Sequence, residues 1–301
     1  MKSWYLMLTI CALMAGIIIR YFIIAYLILH PKSKKSGKTP DDFNLSYTEF
    51  TVVTTDRLLI KGWIIHAHQQ NARGTVILAH NLGADKLHMI PYSRFLSQAG
   101  FNSVVFDFRS HGTSTNYWKS WNMLQGLERD LSAVRHMVIE SSWFQRRPIL
   151  TLMGFSMGTF PIVTKGWQFP EVKAVILDSG PFQSLGHGFR HELKRSTKHY
   201  RKIPATLKVV WWRLMLGNTE VCIEEGLKRL NTQAILFVHG GLDMVIPSEN
   251  TTRLFTLCKR YNTYYWLIPD AHHLDGYTLY RKIYSKKIID FLKNSITTIP
   301  C

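Results

Sequence analysis

Acidic residues are scarce in this sequence. Of its 301 residues, 20 are Asp or Glu and 37 are Lys or Arg, which gives a formal net charge of +17 at pH 7. A surface this basic attracts anionic partners, and phosphate is the group that such partners share. The sequence lacks a zinc finger, an RNP-like strand and a basic region that continues into heptads, so nucleic acid is not indicated. We therefore expect no nucleic-acid partner and favour anionic membrane lipid.

Cysteine is also rare, and its spacing excludes two further kinds of site. The four cysteines are Cys11, Cys222, Cys258 and Cys301. No two of them form a CxxC pair, so neither a zinc cluster nor a disulfide framework is indicated. The sequence also lacks a Gly-rich dinucleotide fingerprint. We therefore expect no metal and no organic cofactor, and we interpret the cysteines as structural thiols.

The composition gives no indication of a disordered or repetitive chain. Hydrophobic residues make up 46% of the sequence and aromatic residues 13%. That content is sufficient for a large core, and one α/β domain can hold about 250 residues. The sequence therefore predicts one large globular domain with an additional segment.

The additional segment is the apolar amino-terminal stretch. From Trp4 to Leu29 the only charged residue is Arg20. This stretch exceeds the roughly 20 residues that cross a bilayer. It also continues well beyond the apolar core of about 7–15 residues in a cleavable signal peptide. We therefore predict that residues 1–30 form an uncleaved membrane anchor, with one transmembrane helix from Trp4 to about Arg20.

Residues 31–42 have the composition of a short basic linker. They contain four lysines, whereas only Lys2 and the amino terminus precede the apolar stretch. The positive-inside bias then places residues 43–301 on the cytoplasmic side. The sequence thus predicts a single-pass membrane protein whose large domain is cytoplasmic and lies beside anionic lipid.

Residues 43–301 alternate between apolar β-rich runs and helical patterns. The first two runs predict a hairpin, and the continuous runs that follow predict strands buried on both faces. In chain order the runs are Thr48–Thr54, Leu58–Ala67, Thr75–Ala79, Ser103–Phe106, Ile149–Met153, Ala174–Leu177, Ala234–Val238 and Tyr264–Ile268. This order predicts an α/β fold with about eight mostly parallel strands and helices on both faces of the sheet.

The most specific motif follows the run Ile149–Met153. Residues 154–158 read Gly-Phe-Ser-Met-Gly, a GxSxG stretch between a predicted strand and a predicted helix. Such a tight turn needs small side chains near the serine and projects the hydroxyl away from the backbone. The amide groups at the start of the helix favour a developing negative charge. Ser156 is therefore the candidate nucleophile.

A serine nucleophile needs a base that takes its proton and a carboxylate that orients the base. Asp243 and Asp178 each follow a predicted strand, and either could supply the carboxylate. His272 and His273 follow the last predicted strand, and either could be the base. All four residues are expected at the carboxyl ends of parallel strands, which is the edge of the sheet where Ser156 is also expected.

Several motifs together resemble the α/β-hydrolase family, over residues from about 45 to 296. Within this superfamily, the chain is most similar to membrane-anchored bacterial hydrolases of the serine aminopeptidase-like type. The matching segments, in chain order, are the oxyanion loop His80–Gly83, the D-x-R-x-H-G-x-S turn Asp107–Ser114, the nucleophile elbow Gly154–Gly158, the acid segment Gly240–Pro247 and the closing Ala271–His273.

The resemblance implies a catalytic triad of Ser156, Asp243 and His273. It also implies an oxyanion hole formed by the backbone amides of Leu82 and Met157. The implied function is a membrane-anchored serine hydrolase that cleaves an acyl ester or thioester through an acyl-enzyme intermediate. Such enzymes include carboxylesterases, thioesterases and lipase-like enzymes. The alternative is a peptidase or an acyltransferase, which would use the same triad.

The resemblance also selects between alternatives. It favours Asp243 over Asp178 and His273 over His272. The sequence departs from the family at Asn81, where glycine is usual, and a side chain there could narrow the oxyanion loop. An alternative from another class is a catalytically idle scaffold that serves as a membrane-tethered interaction protein.

Other polar residues of these motifs are expected to support the structure. We predict that His80 and His111 brace their loops by hydrogen bonds and that Arg109 ties a turn together. Asp270 and Asp275 are expected to be solvated loop residues.

Residues 181–231 are too many for a connecting loop between two predicted strands. Between Gly186 and Arg213 this segment has eight Lys or Arg residues and one acid, Glu192, and apolar residues at 209–212 and 214–216 overlap and follow it. Insertions at this place form the lid of many α/β hydrolases. We predict a small helical lid that meets an anionic membrane surface. The alternative is a solvated basic helix followed by a buried helix.

Overall fold

The computed structural model describes residues 2–29, 37–117, 123–181, 223–230, 233–258 and 262–297. Its centre is one eight-stranded sheet with the order β1-β2-β4-β3-β5-β6-β7-β8. The strands are β1 (Tyr47–Val53), β2 (Leu59–Ile65), β3 (Thr75–Ala79), β4 (Asn102–Phe106), β5 (Leu150–Phe155), β6 (Val172–Asp178), β7 (Ala234–Gly240) and β8 (Thr263–Ile268). The β1–β2 and β2–β4 pairs are antiparallel and all other pairs are parallel. The predicted eight-stranded, mostly parallel sheet is confirmed.

Helices connect the strands and cover the sheet. The α-helices of the described residues are α1 (Lys2–Leu29), α2 (Ile90–Gln98), α3 (Met123–Glu140), α4 (Ser142–Gln145), α5 (Thr159–Lys165), α6 (Ile223–Arg229), α7 (Ser248–Leu257), α8 (Gly276–Leu279) and α9 (Arg281–Thr297). Short 3-10 helices cover Pro40–Phe43, Lys86–Met89, Ser156–Gly158 and Gly166–Gln168.

The sheet separates two hydrophobic cores, because side chains alternate between the two faces of a strand. In β3, Ile77 and Ala79 belong to one core, and Val76 and Leu78 belong to the other. Helices α3, α5 and α6 contribute apolar side chains to the first core, and helices α2 and α9 contribute to the second. Helices therefore lie on both faces, as the alternation of strands and helices predicts.

Burial along the strands follows their place in the sheet. Every residue of β3, β4 and β5 is buried. Strand β8 differs, because Tyr264 and Leu267 are exposed. Strand β8 pairs with β7 on one side and is the last strand in the sheet order. Its other edge has no neighbouring strand in the described sheet to shield it from solvent.

The predicted transmembrane helix is not found. Residues 2–29 do form the helix α1, but within the described residues no helix is long and apolar enough to cross a membrane. The uncharged run before Arg20, residues 4–19, has 16 residues, fewer than the roughly 20 that span a bilayer core. A charge at the bilayer centre would cost about 3 kcal/mol on insertion scales.

The lid prediction concerns residues that the structure mostly leaves undescribed. Its basic and apolar stretches lie in residues 182–222, outside the described residues. At its carboxyl end, α6 buries Ile223 and Leu227 in the core of the domain. The lid and the division into residues 1–30, 31–42 and 43–301 stay predictions.

Candidate active site

The candidate nucleophile lies in a sharp turn between β5 and α5. Strand β5 ends at Phe155, and Ser156 has a φ of +47°. This left-handed conformation is disfavoured for residues with a Cβ atom and occurs preferentially at functional sites. A 3-10 turn over Ser156–Gly158 then leads directly into α5. The side chain of Ser156 is therefore at the carboxyl end of a central strand and at the start of a helical segment.

The two glycines of the GxSxG motif are required by close backbone approaches. A Cβ atom on Gly154 would lie 2.6 Å from the carbonyl oxygen of Gly158. A Cβ atom on Gly158 would lie 2.1 Å from the carbonyl oxygen of Ala79. Both distances are too short for a contact between a carbon and an oxygen atom. Glycine is therefore needed at 154 for the turn to close on itself and at 158 for the turn to pack against β3.

The structure brings Ser156, His273 and Asp243 together. His273 Nε2 lies 2.9 Å from Ser156 Oγ, and His273 Nδ1 lies 2.7 Å from Asp243 Oδ2. A carboxylate only accepts hydrogen bonds, so Nδ1 carries the proton and Nε2 accepts from the serine hydroxyl. The neighbouring His272 is exposed, and its Nδ1 contacts the carbonyl oxygen of Leu242 at 3.0 Å instead.

Asp243 is held as a carboxylate by the turn after β7. Its Oδ1 accepts hydrogen bonds from the N–H groups of Val245 (2.8 Å) and Ile246 (2.9 Å). Burial raises the pKa of the Asp243 carboxyl, but hydrogen bonds from His239 and His273 outweigh burial and keep this pKa below its usual range. The carboxylate is therefore available to orient His273 and to stabilise its charged form.

His239 supports Asp243 and was missed by the sequence analysis. It is fully buried at the end of β7, and its Nε2 lies 2.8 Å from the carbonyl oxygen of Ile246 and 3.3 Å from Asp243 Oδ2. Its Nδ1 accepts a hydrogen bond from Thr251 Oγ1 at 2.8 Å. The available signal was its position, since a histidine at the end of a buried strand needs polar partners nearby.

The alternative acid, Asp178, has other partners. Tyr284 donates a 2.5 Å hydrogen bond to Asp178 Oδ2, and Ser179 Oγ donates one of 2.8 Å to Oδ1. Burial raises the pKa of the Asp178 carboxyl. Ser179 Oγ also accepts a hydrogen bond from the N–H group of Leu274, at 3.2 Å. Asp178 thus contributes to the support of the loop that carries His273, through Ser179.

The predicted oxyanion loop is braced by a buried, neutral histidine. His80 Nδ1–H donates to the carbonyl oxygen of Asn81 at 2.8 Å, and Nε2 accepts from the N–H group of Phe108 at 3.0 Å. Burial, together with the nearby His111, lowers the pKa of His80 to about 3. His111 Nε2 accepts from the N–H group of Gly83 at 3.4 Å. The bracing roles predicted for His80 and His111 are confirmed.

Asn81, the departure from the family pattern, acts within the same loop. Its Nδ2 donates a 3.2 Å hydrogen bond to the carbonyl oxygen of Leu82. Leu82 is half-buried, and Met157 is buried directly after Ser156. The contributions of the Leu82 and Met157 amides to an oxyanion hole stay predictions.

Buried ion pairs hold the loops beneath the site. Lys86 Nζ lies 2.5 Å from Asp107 Oδ2, with both side chains nearly inaccessible to solvent. Arg109 pairs with Asp130 and Asp56, both at 2.7 Å, as expected for a residue that ties a turn together. The Lys86–Asp107 pair joins the segment after the oxyanion loop to the turn after β4. Sequence analysis missed Lys86, because no local pattern reveals that a lysine will be buried.

The described residues contain no evident metal site. Within them, no group of three or more His, Cys, Asp or Glu side chains could hold a metal ion. Of the two cysteines in the described part of the chain, Cys11 is exposed, and Cys258 is buried with its Sγ 2.9 Å from the carbonyl oxygen of Leu254.

Comparisons with known proteins identify the family of the chain and relatives with the same fold. The family model described as "Serine aminopeptidase, S33" matches residues 70–220, which is half of the chain. This range includes the oxyanion loop and Ser156, and it ends before Asp243 and His273.

Relatives and solved structures match most of the chain. The Escherichia coli K12 protein YfhR is 27% identical over 275 residues, which cover 89% of this chain and 86% of YfhR. A Saccharomyces cerevisiae protein named as the membrane protein YNL320W is 24% identical over 257 residues, covering 84% and 82% of the two chains. The Pyrococcus furiosus esterase Pf2001 superposes with a TM-score of 0.72 at 21% identity, covering 89% of this chain and 98% of the esterase.

Proposed function

The chain belongs to the serine aminopeptidase S33 family of α/β hydrolases, and on that premise we propose that it is a serine hydrolase that cleaves an ester or thioester. The observation that carries the proposal is the hydrogen-bonded series from Asp243 through His273 to Ser156, which ends on a serine with a left-handed backbone. A serine hydroxyl becomes a competent nucleophile when a base oriented in this way can take its proton.

The reaction follows from the positions of the three side chains. Ser156 Oγ attacks the carbonyl carbon of the substrate while its proton passes to His273 Nε2. Asp243 stabilises the imidazolium, which then gives the proton to the leaving alcohol or thiol. Water attacks the resulting acyl-enzyme, with His273 again as the base, and the carboxylic acid is released from Ser156.

The negative charge on the substrate oxygen needs donors on the other side of the carbonyl. The amide of Met157 is expected to supply one donor, since this residue directly follows the nucleophile. The amide of Leu82 is expected to supply the second, on a loop that His80 and His111 brace. Removal of one such donor typically costs about 3 kcal/mol of transition-state stabilisation.

Two observations favour an acyl ester or thioester over a peptide. The apolar side chains of Leu242 and Met244, on either side of Asp243, are 49% and 67% exposed. They provide apolar surface that an acyl chain can cover. The structural neighbour Pf2001 is named an esterase.

We further propose that α1 holds the enzyme at a membrane. The described side chains of α1, at residues 4–20 and 23, are all exposed, and most of them are apolar. Apolar surfaces of this extent on one segment mark interaction with lipid or another apolar partner. One yeast relative is named a membrane protein, and the lysines after α1 suit anionic headgroups.

A serine-directed probe tests the proposed activity. The full chain is expected to react with a fluorophosphonate and to hydrolyse p-nitrophenyl esters of acyl lengths from acetate to palmitate. Ser156→Ala should abolish both, because the hydroxyl is the atom that reacts. Ser285→Ala, on α9, is the matched control and should retain both activities. Labelling of Ser156→Ala would contradict the assigned nucleophile, and an inert parent chain would indicate the idle scaffold.

A further inference from the structure

A cavity of about 680 Å³ opens at the edge of the sheet opposite Ser156. Strands β3, β4 and β5 are parallel and begin at this edge, and β2, which is antiparallel to β4, ends there. The residues that line the cavity are His66, Ala67, Gln69, Gln70, Asn71, Ala72, Arg73, Asn102, Trp143, Arg146 and Arg147. The triad uses none of them.

The lining of this cavity is strongly cationic. Arg73, Arg146 and Arg147 contribute three guanidinium groups, and the lining contains no Asp or Glu. Across the described part of the chain, none of these three side chains forms a hydrogen bond or an ion pair. By contrast, Arg109 and Arg135 each pair with a carboxylate of the domain. The cavity therefore holds concentrated positive charge that no carboxylate of the described residues neutralises.

The loop that forms one wall, residues 67–73, is fixed at both ends. The N–H group of Ala67 donates a 2.9 Å hydrogen bond to Oδ1 of the buried Asn102. The N–H group of Arg73 donates a 2.8 Å hydrogen bond to the carbonyl oxygen of Gly100. Because the sheet and the loop after α2 hold these ends, the two ends of residues 67–73 keep their positions without a ligand.

The remaining lining adds neutral donors and an aromatic surface. Gln69, Gln70 and Asn71 supply side-chain amides, and Trp143 is half-buried against the core. Gly100 has a φ of +86°, and a Cβ atom there would lie 1.9 Å from Gln69 Nε2. Glycine at this position therefore lets the Gln69 side chain pack closely against the backbone of the neighbouring loop.

We propose that this cavity binds a phosphate-bearing ligand through Arg73, Arg146 and Arg147. Guanidinium groups match the geometry of phosphate oxygens and form strong charge-assisted hydrogen bonds with them. The side-chain amides can donate further hydrogen bonds, and no carboxylate in the lining repels the ligand. A free phosphate ester and a phospholipid headgroup share this chemistry, and the experiment separates these two sources.

Calorimetric titration of the full chain tests the site with two probes, inorganic phosphate and the soluble lipid dihexanoyl phosphatidic acid. Saturable binding that weakens as ionic strength rises is expected for phosphate, since Arg73, Arg146 and Arg147 are exposed and salt screens exposed charges. If the lipid binds more tightly than phosphate, the source is a headgroup. If it binds equally or more weakly, the source is a free phosphate compound.

Two matched variants locate the binding. The triple variant Arg73→Gln, Arg146→Gln and Arg147→Gln should weaken phosphate binding by at least about tenfold, because it removes all three charge-assisted contacts. The control Arg94→Gln, Arg253→Gln and Lys282→Gln removes the same charge from exposed positions elsewhere and should bind like the parent. The three single variants of the cavity are measured as well, which keeps the test valid if the triple variant does not fold.

The proposal is overturned if the parent shows no saturable binding of either probe. It is also overturned if the cavity variants bind as well as the parent, or if the control variant loses as much affinity as the triple variant. In the last case, net charge alone would explain the attraction.

Discussion

Ser156, the proposed nucleophile, has an unfavourable backbone conformation. A left-handed φ costs a residue with a Cβ atom about 1–2 kcal/mol, so the surrounding structure must enforce it. The two close approaches at Gly154 and Gly158 provide that constraint. The rest of the proposed machinery depends equally on single residues, and its two histidine assignments can be separated by substitution.

The first of these assignments concerns the base. His273→Ala is expected to lower the turnover of p-nitrophenyl esters by at least about 10³-fold, since the serine then has no base. His272→Ala should retain most of the turnover, because that ring contacts a carbonyl oxygen of the loop rather than Ser156. Steady-state kinetics of the two neighbouring variants check this, and the reverse pattern would show that the bases were assigned the wrong way round.

The second assignment concerns His239 as a positioning residue. His239→Ala should lower kcat by about 10- to 100-fold, since a small displacement of Asp243 misaligns His273. KM should change little, because His239 is buried and is not expected to contact substrate. Thr251→Val removes only the hydrogen bond from Thr251 to His239 Nδ1, so its effect on kcat should be smaller than that of His239→Ala. A purely structural role would be indicated if the two variants lost the same factor in kcat and the same free energy of unfolding.

At the scale of elements, α1 stands apart because none of its described side chains belongs to either hydrophobic core. Leu13→Glu with Ile17→Glu should release the protein from membranes during alkaline carbonate washing, because charges on the exposed apolar surface oppose lipid contact. The matched control is Leu279→Glu with Ile283→Glu, which changes two similarly exposed apolar side chains near the carboxyl end. This control should stay in the membrane fraction. Release of both variants, or of neither, would contradict a specific role for α1.

The strands were predictable and their ends less so. The β-rich runs of the sequence located all eight strands, and for β3 to β7 the burial of both faces explains their continuous apolar pattern. Strand β5 extends two residues beyond its apolar run to Phe155, since the turn at Ser156, not hydrophobicity, ends it. The apolar run at α1 led to a predicted span that is not found among the described residues, and the uncharged part of the run before Arg20 has only 16 residues.

The candidate site was predictable in its motifs but not in the contacts that support it. Motif spacing identified Ser156 and the two pairs of alternative partners. The residues alone did not separate His272 from His273, since adjacent side chains differ only in direction. The support from His239, and the Lys86–Asp107 pair, depend on contacts between distant segments, which local pattern does not encode.

At the scale of the whole molecule, the buried His80 makes stability depend on pH. Its folded pKa is about 3, below its ordinary value of 6.5, so the unfolded chain binds the proton first. The resulting stability is complete above about pH 6.5 and is lost as pH falls toward 3. Between pH 7 and pH 5, His80 should account for about 2 kcal/mol of the loss in unfolding free energy.

Urea unfolding at pH 7 and pH 5 measures this contribution. His80→Gln should show a smaller difference between the two pH values than the parent chain. His136→Gln, which changes an exposed histidine, should preserve the parent's difference. If all three chains respond equally to acid, the pH dependence arises elsewhere in the molecule.

The order of the strands determines where the chain from α1 enters the sheet, which matters for the proposed membrane-bound hydrolase. Tyr47, at the start of β1, pairs with Ile65 at the end of β2, so the chain enters the sheet at the edge opposite Ser156. Along the strand direction, the start of β1 and Ser156 are thus separated by about 17 Å, and the strands β2, β4 and β3 separate them further across the sheet. The ten residues from 30 to 39, between α1 and the 3-10 helix Pro40–Phe43, span at most about 35 Å when extended. In the proposed membrane-bound hydrolase, the reach of this segment limits how far Ser156 can lie from the lipid surface.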